Sequence, residues 1–246
     1  MVYKERLDTA RAGTRSVQKP HFVGRVTDLF EGKAATGPRP QSFLVEQSPN
    51  WTLPTHFHVE QQFQVFIAGS GFLGRTPIEP MTVHFATRHT GYGPLVSGAE
   101  GISYFTLRAL SDTGAWLLPE SREKIRTDIK KQQVHAEPQT HIEPHALLGL
   151  TEPGQQVLIA PAQSGLAAWL LRLPPNTRVP APAGQAQGGG RFYVVAKGSA
   201  RVEQELMPAW STVYLSPDEM PDIESGPDGL EIMVLQFPLA ALEPEV

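Results

Sequence analysis

The chain has 246 residues, 40% hydrophobic and 19% charged, so it can bury a sizeable core and extended disorder is not expected. The net charge of -4 gives no basic surface for nucleic acid, and the absence of cysteine excludes disulfides, thiolate metal sites and cysteine nucleophiles. The first residues contain no apolar signal segment, and no run of about 18 apolar residues occurs. We therefore expect a cytoplasmic protein that neither enters a membrane nor binds nucleic acid.

Short apolar segments separated by turn residues run along most of the chain. They are rich in β-branched and aromatic residues, and the 22 glycines and 23 prolines lie mostly between them, which is typical of an antiparallel all-β protein. Strands are predicted, in chain order, at residues 41–47, 62–69, 82–87, 101–110, 167–173, 191–198, 211–216 and 230–237. The charged segment Pro119–His135 is predicted instead as a short linking helix with Ile125 and Ile129 on one face, followed by a proline-containing linker.

An internal repeat relates the two halves of the chain. Three segments match in the same order: PNWTLPTHFH with PNTRVPAPAG, FIAGSG with VAKGSA, and SGAEGISYFTL with SGPDGLEIMVL. Their offset is nearly constant at about 128 residues, which is the mark of a duplicated unit. The repeat predicts two tandem β domains, residues 1–135 and 136–246; one large β sandwich is the alternative.

A pair of histidines in the first half predicts part of a metal site. His56 and His58 lie one residue apart, and because side chains alternate faces along a strand, both point the same way. Imidazole is a common neutral ligand of divalent transition metals. With a further ligand from a neighbouring strand, the pair would bind one cation; ordinary surface or core histidines are the alternative.

The residues around this pair resemble the first motif of the cupin superfamily. His56 and His58 match its H-x-H, Gln62 stands where the family usually has Glu, and Gly69 matches the closing glycine. The second motif is degraded here, and its ligand histidine corresponds to His89. The resemblance covers most of the chain and implies a bicupin, with two small jelly-roll-like β-barrels of which the first carries a metal site.

The second half departs from the family pattern. Pro182 and Gly184 stand where the first half has His56 and His58, and Arg191 stands at the Glu position. The second barrel is therefore expected to lack metal ligands.

The resemblance implies that His56, His58, Gln62 and His89 bind a divalent transition metal, either Fe, Ni, Mn or Zn. Glu60 shares its strand face with the histidine pair and is the alternative to Gln62 as fourth ligand. Three neutral imidazoles without a carboxylate would leave the full charge on the cation, which favours anionic substrates.

Further residues are candidates for the same pocket. Gln64 lies on the same face as Gln62 and is predicted as a hydrogen-bond partner of the bound cofactor. Tyr92 would donate a proton and Arg75 would hold a carboxylate, and an ordinary turn or surface position is the alternative for each. His84 lies in an apolar strand and is expected to be packed. The glycine-rich residues 184–190 are not followed by GKS or GKT, so a phosphate loop is not predicted.

The function predicted from these features is a metal-binding bicupin that acts as a mononuclear, dioxygenase-like enzyme on a small, anionic organic molecule. A non-catalytic protein that binds or senses a small ligand is the alternative, and a storage-type structural protein is a third hypothesis. Exposed strand edges make a homodimer plausible.

Overall fold

The structure is a computed structural model that describes residues 1–31, 39–140 and 142–242, and strands dominate it. The strands are β1 (Val2–Glu5), β2 (Arg15–Lys19), β3 (Phe22–Glu31), β4 (Gln41–Gln47), β5 (Thr52–Leu53), β6 (His56–Phe57), β7 (Gln62–Leu73), β8 (Thr76–Ile78), β9 (Val83–Ala86), β10 (Leu95–Arg108), β11 (Trp116–Leu117), β12 (Gln133–Ala136), β13 (Gly154–Ile159), β14 (Ala167–Leu173), β15 (Arg178–Val179), β16 (Gly188–Val202), β17 (Glu205–Pro208), β18 (Thr212–Leu215) and β19 (Ile223–Pro238). The α-helices are α1 (Leu7–Ala10) and α2 (Pro144–Leu148), and 3-10 turns lie at Arg11–Gly13, Arg122–Lys124 and Leu239–Leu242.

Two compact units divide the chain, and each contains one large antiparallel sheet. In the unit of residues 11–139 the strand order is β12-β9-β7-β10-β4-β3-β2, with β5 on β10 and β8 on β7, while β6 and β11 form a separate pair. In the other unit the order is β1-β18-β16-β19-β14-β13, with β15 on β19 and β17 on β16. The all-β prediction is confirmed, and every predicted strand overlaps an observed one.

The predicted repeat is confirmed by the two sheets, because the order β9-β7-β10-β4 in one matches β18-β16-β19-β14 in the other. Matching glycines mark the same bend in β7 and β16. Gly69 has φ +72° and Gly198 has φ +69°, and a Cβ on either would lie about 2 Å from the carbonyl oxygen of Gly101 or Gly229, respectively. Only glycine fits a left-handed position with so close a backbone contact.

The linking helix is present, but its predicted location was wrong. Residues 119–135 contain the 3-10 turn Arg122–Lys124 and the start of β12, whereas the helix α2 lies in the predicted linker. Charge without β-branching indicated a helix, but Ile125 and Ile129 are only half-buried and do not give a helix a packed face. Pro144, at the first turn of α2, starts the helix instead, since its fixed φ suits that position.

The unit limits differ from the predicted division at residue 135 in two places. β12 pairs with β9, so the chain leaves the first sheet only after Ala136. At the other end, β1 pairs with β18 in register Val2↔Leu215, so Met1–Ala10 belongs with the second unit. β1 takes on β18 the place that β12 takes on β9, but it comes from the opposite end of the chain, so the sequence carries no signal for its partner.

The interiors of the two barrels differ in character. The barrel of residues 11–139 has buried polar side chains on the inner positions of β7 and β10, whereas the second has an apolar cluster. The buried members of that cluster are Ala167, Trp169, Leu171, Leu173, Tyr193, Val195, Ala200, Met207, Val213, Leu215, Ile223, Leu230, Ile232 and Val234. Among the described residues, no helix is long and apolar enough to cross a bilayer.

Candidate functional site

A cavity of about 560 Å³ opens in the first barrel, and polar side chains from several strands line it. Alternation along β7 turns Gln62 and Gln64 to this side, and the register of β10 against β7 sets Thr106 opposite Gln64. Arg108, two residues further on, reaches the cavity in the same way. These four side chains are each 3% exposed or less, so the polar groups are removed from bulk water.

Arg108 is the centre of the cavity's hydrogen-bond network. Its Nε and Nη2 donate to the amide oxygen of Gln62 at 3.1 and 2.7 Å, and its Nη1 donates to the amide oxygen of Gln41 at 2.6 Å. The three residues form one row across β4, β10 and β7, with the arginine in the middle. The two neutral amides hold the guanidinium in a fixed position, and the Asp112 carboxylate, 3.6 Å from Nη2, offsets part of its positive charge.

A chain of hydrogen bonds runs from Gln62 to the backbone. The Gln62 amide donates to the Tyr92 hydroxyl, Tyr92 donates to His56 Nε2 (3.2 Å), and His56 Nδ1 donates to the Pro54 carbonyl (2.8 Å). The direction is fixed because the Pro54 carbonyl can only accept. Burial, together with the nearby His58, lowers the pKa of His56 to about 3, and burial raises the pKa of Tyr92. Both groups are therefore neutral near pH 7.

His58 is held between a carboxylate and the guanidinium. Its Nδ1 forms a short hydrogen bond to Asp112, and Nη2 of Arg108 lies 3.1 Å from the same Nδ1 and 3.4 Å from Nε2. Burial and the charge of Arg108 lower the pKa of His58. Burial alone would raise the pKa of Asp112, but the hydrogen bond from His58 and the charge of Arg108 outweigh it and hold that pKa below its ordinary value.

Of the predicted site residues, the structure brings His56, His58, Gln62, Gln64 and Tyr92 to this cavity. Gln64 is also hydrogen-bonded within the protein: its amide oxygen accepts from Nδ1 of His84 at 2.8 Å. His84 lies in β9 and is fully buried, as predicted.

Three other candidates lie elsewhere. The ring of His89 stacks on Phe57 with centroids 5.5 Å apart and is not part of the cavity lining. Arg75 is exposed in the turn between β7 and β8, and Glu60 is buried but also outside the lining. His89 has a backbone φ of 55°, so it lies in a turn. The motif spacing assumed that His89 continues a strand.

Sequence reasoning missed Arg108, Asp112 and Gln41. A charged residue at the end of the apolar strand GISYFTLRAL was an available signal for Arg108, since such a residue is rarely buried without a role. Asp112 and Gln41 carry no such signal, because their positions depend on strand register and on the loop after β10.

The residues present do not form the four-ligand metal centre predicted from the sequence. Within the described ranges, no group of three or more His, Asp, Glu or Cys side chains is placed to hold a metal ion. Gln62 turns its amide oxygen to Arg108, and the Nε2 atoms of His56 and His58 face Tyr92 and Arg108. A divalent cation at this place would lie beside a buried guanidinium and would be repelled by it.

One feature of a metal site is nevertheless present. The Nδ1 atoms of His56 and His58 are bonded to the Pro54 carbonyl and to Asp112, which is how metal-binding imidazoles are usually oriented with Nε2 free to coordinate. These two histidines are the residues that would hold a metal.

No family model matches the sequence, and no curated protein matches it. Solved structures do resemble the chain over most of its length. Bacterial pirin YhhW from Escherichia coli, in complex with nickel(II), shares 9% identity over 97% of this chain and 99% of that one, with a TM-score of 0.59. The fold is that of a bicupin.

Other solved structures similar to this chain include enzymes. Salicylate 1,2-dioxygenase from Pseudoaminobacter salicylatoxidans, with gentisate, is 9% identical over 96% of this chain and 81% of its own, with a TM-score of 0.58. Oxalate decarboxylase from Bacillus subtilis, which has Mn(II) centres, is 12% identical over 97% and 77%, with a TM-score of 0.55. At these identities the likeness shows the fold.

Proposed function

We propose that the first barrel binds a small organic acid, and that Arg108 supplies the positive charge that attracts it. The observation that carries this proposal is a guanidinium 3% exposed inside a cavity of about 560 Å³, a volume suited to a small organic molecule. Guanidinium is the side chain best matched to a carboxylate, because two N–H groups bind its two oxygens.

Charges at the cavity favour an anion. Arg15 and Lys19 line it together with Arg108, whereas its carboxylates are those of Asp28 and Asp112. Asp28 is paired with Arg15 at 3.1 Å and Asp112 lies 3.6 Å from Arg108, so the three cations of the lining exceed its two carboxylates by one charge. In a concave site such a balance raises the local concentration of anions.

The same side chains can transfer a proton. His58, oriented by Asp112, lines the cavity in the manner of a general base, and the neutral hydroxyl of Tyr92 can turn its single proton from His56 Nε2 to a substrate oxygen that gains charge. A reaction that moves a proton between two carbons of a bound acid would need no other reactant.

The proposal is tested by titration calorimetry with benzoate as the probe. Arg108→Gln should weaken binding at least tenfold, whereas Arg75→Gln, the same change at an exposed arginine of the same barrel, should leave it unchanged. Circular dichroism and thermal melting would check the folding of both variants. Equal benzoate affinity in the Arg108→Gln and Arg75→Gln proteins would contradict the proposal.

Metal-dependent, dioxygenase-like catalysis is a second candidate function, supported by the orientation of His56 and His58. Elemental analysis of the purified protein and of the His58→Ala variant distinguishes the metal-dependent enzyme from the organic-acid site. A near-stoichiometric transition metal that disappears in His58→Ala would favour the metal enzyme, whereas no metal after exposure to Fe(II), Ni, Mn and Zn would favour the organic-acid site.

A further inference from the structure

The second barrel contains a counterpart of the arginine–glutamine pair, with the two residues exchanged between strands. Arg191 in β16 stands at the repeat position of Gln62, and Gln236 in β19 stands at that of Arg108. Nε and Nη2 of Arg191 donate to the Gln236 amide oxygen at 3.0 and 2.5 Å, as Arg108 donates to Gln62. The exchange keeps a buried guanidinium and a neutral amide paired across two strands.

The exchange removes one amide acceptor from the guanidinium of Arg191, whose neighbours include the buried Tyr193 hydroxyl. In the second barrel the next residue of the row is Ala167, opposite Gln236, and an alanine side chain accepts no hydrogen bond. On the other side Arg191 pairs with Leu215, which is apolar. In the described part of the chain Nη1 of Arg191 has no hydrogen-bond partner.

The cation is also unneutralised. Arg191 is 5% exposed, and it forms no ion pair within the described ranges, whereas Arg172 of the same sheet pairs with Glu231 at 2.9 Å. A buried cation without a carboxylate or a full set of acceptors is costly. Such a group is expected to have an anionic partner that is not part of the protein.

A cavity of about 380 Å³ gives such a partner access to Arg191. The glycine-rich segment 184–190 forms one wall, and its glycines are required by close contacts. A Cβ at Gly188 would lie 2.4 Å from the Gln236 side chain, and one at Gly190 would lie 2.4 Å from the Tyr214 hydroxyl. The glycines therefore allow the loop to lie directly against the Arg191–Gln236 pair.

The remaining lining suits an organic anion. Pro217 and Met220 provide apolar contacts for a carbon body. Glu219 also lines the cavity, but its carboxylate is paired with the amino group of Met1 at 2.8 Å.

We propose that the second barrel binds a small organic carboxylate at the guanidinium of Arg191, which lines this cavity. This site is separate from the cavity at Arg108 and does not depend on the function proposed for it. Planar carboxylates fit a guanidinium edge through two parallel hydrogen bonds, and the cavity volume matches a small organic acid.

Titration of the full chain with benzoate in the Arg108→Gln background tests this site alone. The added change Arg191→Gln should weaken the remaining benzoate binding at least tenfold. The matched control Arg178→Gln, at an exposed arginine of the same unit that pairs with Asp222, should leave it unchanged. Unchanged affinity in Arg191→Gln, or no benzoate binding in this background, would overturn the proposal.

A second variant separates loss of binding from loss of folding. Ala183 is exposed at the rim of the cavity, so Ala183→Trp should obstruct entry while the barrel remains folded. Benzoate binding should fall in this variant with an unchanged melting temperature. Inorganic phosphate should bind more weakly than benzoate, and tighter phosphate binding that depends on Arg191 would overturn the assignment to an organic carboxylate.

Discussion

Replacing Gln62 by Glu tests whether the charge of Arg108 is what binds the ligand. The Gln62 amide oxygen accepts from Nε and Nη2 of Arg108 at 3.1 and 2.7 Å, so a glutamate would form a two-point ion pair with the guanidinium. Two unit charges about 4 Å apart attract each other by roughly 4 kcal/mol at an effective dielectric constant of about 20. An incoming carboxylate would have to compete with that attraction.

Part of this gain is offset inside the protein. Burying the new carboxylate costs several kcal/mol, and the amide donor to the Tyr92 hydroxyl is lost, which costs about 1 kcal/mol. We therefore expect little net change in stability, but a loss of at least tenfold in benzoate affinity, about 1.4 kcal/mol. Titration calorimetry in the Arg191→Gln background measures this loss at the first barrel alone.

Gln64→Glu is the matched control. Gln64 lies two residues further along the same face of β7, but its amide oxygen contacts a histidine ring instead of Arg108. Gln64→Glu adds the same negative charge to the cavity without neutralising the guanidinium, so we expect a smaller loss of benzoate affinity. If Gln62→Glu bound benzoate as well as the wild type does, or if both variants lost affinity equally, the assignment to Arg108 would fail.

Two further predictions concern the barrels themselves. Gly198→Ala should lower the free energy of unfolding by about 2–4 kcal/mol in denaturant titrations, because φ is +69° and the new Cβ would lie 2.1 Å from the Gly229 carbonyl oxygen. Gly13→Ala is the control, because a Cβ at Gly13 would meet no atom within 4 Å. An equal loss of stability in both variants would refute the explanation. Phe63→Ala should cost about 3–5 kcal/mol because the ring is fully buried. Phe72→Ala, at a side chain 52% exposed, should cost well under half as much, and similar losses would contradict the packing account.

The strands and the repeat could be predicted because their signals are local. Apolar segments bounded by glycine and proline mark strands such as β4 and β14, and the duplicated order of motifs marks two barrels. The edge strand β1 could not be assigned to its sheet, because the residues that pair with it are more than two hundred positions away.

The spacing of residues along the strands predicted part of the candidate site. Alternation along a strand correctly grouped His56 with His58, and Gln62 with Gln64. His89 does not line the cavity: it lies at a left-handed position of the degraded second motif, and its ring stacks on Phe57.

The central pair of the network could not be read from the sequence. Arg108 and Gln62 meet only because β10 lies beside β7 in one register, and no local pattern encodes that register. The Arg191–Gln236 pair of the second barrel also depends on strand register, so it becomes apparent only when the two sheets are compared.

The most direct test is a crystal structure of the full chain with 4-bromobenzoate, since the anomalous signal of bromine locates each bound molecule. We expect bromine in the cavity of the first barrel, with the carboxylate on Arg108 and no metal between His56 and His58. Bromine absent from that cavity, or a metal ion bound to the two histidines, would contradict the account.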